Sequence, residues 1–125
     1  MGGAYLIDTN VIVEFAGNLL PEKASSFVSK VVDERFNISV INKIEVLGHA
    51  SAGKALEDFV GLSIVFDLNE DVVSKTIELR KIYKIKLPDA VIAATSLVNN
   101  LILVTRNVKD FNKIKDLKVI DPYEV

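Results

Sequence analysis

Two aspartates stand almost alone in apolar surroundings. Asp8 is the only charged residue between Met1 and Val13, and Asp89 is the only one from Leu87 to Val104. Glu45 and Asp110 are two further acids near the ends of apolar runs. A carboxylate in such a setting is costly unless it is paired or bound to a metal. If three or four of them converge, they repel one another and their pKa values rise. A divalent cation relieves that repulsion, and an all-oxygen donor set without His or Cys selects a hard ion, Mg²⁺ or Mn²⁺. Hard ions on carboxylates suit phosphodiester hydrolysis, which needs no side-chain nucleophile. The chain has no Cys and a single His, His49, which lies in a Gly-flanked stretch and reads as a surface or packing residue.

Each acid also has a purely structural explanation. Asp8, Thr9 and Asn10 can all cap a helix. Asn42 and Glu45 have capping-box spacing. Asp89 after Pro88 suits the first turn of a helix, and Asp110 can be a turn residue. Capping by Thr9 or Asn10 would leave the Asp8 carboxylate free. What these explanations leave unaddressed is why all four acids are placed where they can meet.

The elements that would position them alternate in type. Short apolar runs at 4–7, 36–40, 63–66, 101–104 and 118–120 read as strands buried on both faces. Val11–Phe15 begins an apolar helix, and helical patterns cover 22–34, 42–59, 70–83 and 88–99, with a short segment at 108–114. Gly48 and Gly53 weaken the middle of 42–59. Alternating strands and helices imply right-handed βαβ units and a mostly parallel sheet of about five strands, covered on both faces. Ligands of such sheets bind beyond the carboxyl ends of the strands. Asp8 ends the first strand, Glu45 follows the second, Asn107 and Asp110 follow the fourth, and Asp89 opens the helix before it.

The 125 residues suit one domain, 1–125, without repeats or linkers. The lack of Cys, of a signal-like segment and of a membrane-length apolar run points to a cytoplasmic protein with no membrane partner. Net charge is −2, yet it is unevenly spread. Residues 1–74 carry five basic and eleven acidic side chains, and residues 75–125 carry ten and six. The basic excess forms two clusters, one at Lys75, Arg80, Lys81, Lys84 and Lys86, the other at Arg106, Lys109, Lys113, Lys115 and Lys118. These are either solvated helix faces or a phosphate-binding rim.

Four segments together resemble a known family: LIDTNVIVEF at the start, SVINKIEVLG at 39–48, LPDAVIAATSLVNNLILVTRNVKDF at 87–111 and the closing VIDPYEV. They are similar to PIN-domain ribonucleases, most of all the VapC-type toxins of toxin–antitoxin pairs. The resemblance implies a three-layer α/β/α sandwich around a parallel sheet, and metal-dependent endonucleolytic cleavage of RNA. It matches Asp8 and Asp89 to the acids that hold the metal, and Glu45 to the glutamate of the middle motif. Asn10 matches a polar residue that orients the site, and Thr105 a hydroxyl residue at its margin. The fourth acidic position falls to Asp110 or to Asn107. The resemblance also implies a small antitoxin partner and a homodimer. On this reading Glu45 orients or deprotonates the attacking water, and Arg106 and Lys109 contact RNA phosphates. Two rivals share the sheet architecture. An aspartate-based phosphotransfer domain would want paired aspartates that Asp8-Thr9-Asn10 lacks, and a catalytically degenerate PIN-like module would bind RNA or protein without binding Mn²⁺.

Overall fold

A computed structural model describes residues 3–125. Among these residues five strands form, all in parallel pairs. β1 (Ala4–Ile7) pairs with β4 (Leu101–Val104), and β4 pairs with β5 (Val119–Ile120). β2 (Asn37–Ser39) pairs with β3 (Ile64–Phe66). The expected sheet of about five strands is therefore divided into three strands, ordered β1-β4-β5, and two. The physical reason lies at the seam between β1 and β2. There the buried Asn37 side chain, not a backbone ladder, donates from Nδ2 to the Tyr5 carbonyl at 2.9 Å.

Helices cover both faces, as the apolar strands require. Side chains alternate along β1 and β4. Ile7 and Val104 join a core with Val11 and Ile12 of α1 (Thr9–Ala16) and Ala24, Val28 and Val31 of α2 (Glu22–Glu34). Leu6 and Leu103 point the other way. They pack with Val72 and Leu79 of α5 (Glu70–Ile82) and Val91 and Ile92 of α6 (Leu87–Val98). α6 is buried from Ala90 to Ser96. Its two buried hydroxyls are satisfied within the helix, Thr95 donating to the Val91 carbonyl and Ser96 to that of Ile92. Asn100, at φ 53°, then turns the chain sharply into β4.

The helix expected over 42–59 is two helices, α3 (Val40–Leu47) and α4 (Lys54–Val60), broken between Gly48 and Gly53. α3 starts before Asn42 because Ser39 caps it. The Ser39 hydroxyl accepts from the Asn42 amide at 3.1 Å, and the Asn42 side chain accepts from the Ser39 amide at 2.9 Å. The capping box is thus Ser39–Asn42, not Asn42–Glu45, and Glu45 is released from any capping duty. A four-residue helix, α7 (Val108–Phe111), and a 3-10 turn (Pro122–Glu124) complete the chain. No helix among the described residues is long and apolar enough to cross a membrane.

Candidate active site

Strand β1 ends directly in Asp8, and α1 begins one residue later. Asp8 is itself the N-cap: its Oδ1 accepts from the Thr9 amide at 2.8 Å. Thr9 and Asn10 do not take that role. The same Oδ1 accepts from Asn42 Nδ2 at 3.1 Å, and Oδ2 accepts from the Thr105 hydroxyl at 2.8 Å. Asp8 is only 6% exposed, and Thr105 is fully buried. Burial pushes the Asp8 carboxyl above its usual range, while the bonds from Thr105 and the Thr9 amide oppose that rise. The charge of Glu45 adds to the rise, and the Asn42 bond opposes it. Cap and site are one residue here.

Glu45 projects from α3 and accepts from the Thr9 hydroxyl at 2.5 Å. Asn42, one turn earlier on the same helix, donates to both Asp8 and Thr9 Oγ1. Its i, i+3 relation to Glu45 puts both residues on one face of α3. The spacing could have marked Asn42 as part of the site, but its capping role masked it. Thr9 was obscured in the same way.

Asp89 lies in the first turn of α6, half-buried. It makes no side-chain hydrogen bond among the described residues. Burial raises its carboxyl above the usual range, and the charges of Asp8, Asp110 and Glu45 raise it further, against the opposing pull of Lys86. The other three acids are therefore all within electrostatic reach of Asp89. The four are not a closed cage: among the described residues no three of His, Cys, Asp or Glu are grouped tightly enough to hold an ion as they stand. Two of the four are each held by a neighbouring side chain, Glu45 by Thr9 and Asp110 by Asn107, whose Nδ2 donates to Asp110 Oδ2 at 2.9 Å. Asn107 thus orients Asp110. Its own amide donates to Thr105 Oγ1 at 3.0 Å, tying the fourth acid back to the first.

Asn10 bridges to the same loop, with Nδ2 3.4 Å from Thr105 Oγ1 and Oδ1 accepting from the Arg106 amide. Arg106 is held by two groups that no local spacing links to it. Its guanidinium pairs with Glu14 at 3.1 Å and lies 3.7 Å from the centre of the Tyr123 ring. Lys109 is exposed on α7. The donors fit a hard cation: all are oxygens, and the least-bonded, Asp89, carries a surplus of neighbouring negative charge.

The PIN domain family model matches residues 5–117. Solved structures agree with it across nearly the whole chain. A toxin–antitoxin complex from Klebsiella pneumoniae is 28% identical, covering 97% of this chain and 99% of that one at a TM-score of 0.75. VapBC-1 from nontypeable Haemophilus influenzae is 28% identical, covering 94% and 97% at a TM-score of 0.76. VapBC2 from Rickettsia felis, bound to a promoter DNA fragment, shares the fold at 24% identity and a TM-score of 0.77, covering 93% and 96%. No curated protein matches the chain. PIN domains are nucleases that generally use divalent metals. With a family match over most of its length and the same fold in these complexes, this chain belongs to the PIN domain family.

Proposed function

We propose that the chain, read as one nuclease domain over 1–125, hydrolyses RNA phosphodiester bonds with the help of Mg²⁺ or Mn²⁺. The observation that carries this reading is Asp89. It is a half-buried carboxylate with no hydrogen-bond donor among the described residues, and the charges of three other carboxylates act on it. Such an arrangement is unfavourable in isolation and favourable around a cation.

Asp8 and Asp89 would hold the ion, with Asp110 as the third acid and Glu45 at the edge. A bound Mg²⁺ or Mn²⁺ would offset the clustered charge, polarise the phosphoryl group and lower the pKa of an attacking water. The chain's own residues do the positioning. Thr105, Asn42 and the Thr9 amide fix the Asp8 carboxylate, so it meets its ligand without rotamer loss. Glu45 is aimed by the Thr9 hydroxyl and is exposed, which leaves it able to accept a proton from water. Asn107 aims Asp110. Asn10 and Thr105 hold the loop that carries Arg106. Arg106 and Lys109 flank this edge and serve as phosphate contacts, Arg106 by exchanging Glu14 for the RNA.

The likeness to toxin–antitoxin complexes supports a role as the toxin of such a pair. In that role the chain acts in the cytoplasm as a homodimer and is held in check by a small cognate antitoxin. Co-purification with the protein encoded beside it tests the partner, and sedimentation tests the dimer. The activity is tested by incubating single-stranded RNA with Mn²⁺, with and without EDTA, and with Asp89→Asn. Cleavage should require metal and vanish in the folded variant. Cleavage that survives either change sinks the mechanism, and no heat from Mn²⁺ in calorimetry returns the chain to a scaffold role.

A further inference from the structure

The two basic clusters of the sequence meet in space. Lys84 and Lys86, from the segment before α6, and Lys113, from the turn after α7, line one cavity of about 140 Å³ together with Asp89 and Asp110. We infer that this cavity is a second phosphate subsite, which seats the RNA backbone phosphate next to the one that is cleaved. The inference rests on the nuclease reading above and adds to it where the strand runs.

Three observations support it. First, among the described residues none of the three lysines forms an ion pair with a carboxylate. Second, the wall is braced. Lys113 Nζ donates to the Lys84 carbonyl at 3.0 Å, and Arg80 donates to the Ile85 carbonyl at 2.8 Å. An ammonium has three donors, so Lys113 keeps two for a ligand. Third, the lining holds no aromatic ring. Recognition of an unpaired base normally uses stacking on such a ring, whereas lysines without one suit the charged backbone. Because Asp89 and Asp110 belong to both the acid site and this cavity, a phosphate seated here adjoins the reacting one along the strand.

The test is kinetic. Cleavage of a single-stranded RNA oligonucleotide in Mn²⁺ is followed as kcat/KM against salt for the wild-type chain and for the triple variant Lys84→Gln, Lys86→Gln, Lys113→Gln. Loss of one neutralised phosphate lowers the log–log salt slope by ~0.7. Raising salt fourfold should therefore cost the wild type about 2.6-fold more than the variant. The loss should fall on KM, with kcat little changed and Mn²⁺ still bound in calorimetry. The triple Lys→Arg variant should restore the slope. A neutral methylphosphonate at one phosphate beside the cleaved one should cost the wild type as much as the Gln variant loses, and cost that variant nothing more. An unchanged slope in a variant that still binds Mn²⁺ overturns the subsite and leaves the nuclease reading standing. So does competition by an acidic peptide at the same strength as RNA. A wild-type chain that cleaves no RNA overturns both.

Discussion

Thr105→Val removes one oxygen from a fully buried position and keeps the side chain's shape. The hydroxyl donates to Asp8 Oδ2 at 2.8 Å and accepts from the Asn107 amide at 3.0 Å. A hydrogen bond to a charged group is worth about 1.5–3 kcal/mol, and a buried group left unpaired adds to the loss. The expected destabilisation is about 2–4 kcal/mol at neutral pH, a large part of the 5–15 kcal/mol typical of a domain. Its pH dependence is the diagnostic feature. Burial holds the Asp8 carboxyl above its unfolded value of 3.8. The folded state therefore keeps the proton more firmly than the unfolded state does. Ionising Asp8 costs stability as pH rises through the folded value. Thr105 offsets part of that cost, and its loss raises the folded value further, so the variant's deficit should be full above the variant's own value and shrink as pH falls through the wild type's. Urea titrations in EDTA at pH 7, and again in acid just above the unfolding transition, measure both limits. Mn²⁺ should recover part of the deficit at pH 7. An equal deficit at both pH values would mean that packing, not the bond to a charged Asp8, is what Thr105 contributes.

Asp89→Asn should abolish metal-dependent cleavage while leaving the melting temperature of the metal-free protein unchanged or raised at pH 7, since it removes a charge that three neighbours repel. The raised Asp89 pKa means that this gain disappears as pH falls through the folded value, and differential scanning fluorimetry across pH checks it. Asn42→Ala loses half of the capping box and two bonds to the Asp8–Thr9 pair, an expected cost of about 2–4 kcal/mol by urea unfolding. Arg106→Ala gives up a partly exposed ion pair and a cation–π contact, an expected cost of about 1 kcal/mol that weakens in high salt. Gly48→Ala brings a Cβ within 2.5 Å of the Ile44 carbonyl oxygen and should destabilise by about 1–3 kcal/mol, whereas Gly53→Ala meets nothing within 4 Å and should be near neutral.

Residues with strong, local signals were legible from the sequence. β1 and β4 stand where their apolar runs placed them, and α2 starts and ends as its amphipathic pattern predicts. The glycines at 48 and 53 announced the break between α3 and α4, though not its extent. What the sequence hid was set by pairings between distant residues. The side chain of Asn37 replaces a backbone ladder only because β1 happens to lie beside it, 32 residues away. The same holds at the site. The spacing of Asn42 and Glu45 satisfies two capping geometries equally, and only the presence of Ser39 at the helix start decides between them. Nothing local distinguishes Arg106 from the surrounding lysines. Its partners, Glu14 and Tyr123, come from opposite ends of the chain.

The seam between β1 and β2 bears on how the site fails. Asp8 and the loop that carries Asp110 hang from one ladder, β1 to β4 to β5. Glu45 hangs from the other, through β2 and α3. Backbone hydrogen bonds do not join the two ladders at this seam; the Asn37 side chain and a shared core of Ile7, Val11, Ile38 and Val46 hold them together. The placing of Glu45 against Asp8 therefore depends on side-chain packing and on the Asn42 bonds, not on strand register. A substitution that loosens this packing can shift Glu45 and Asn42 relative to Asp8 while leaving both ladders whole.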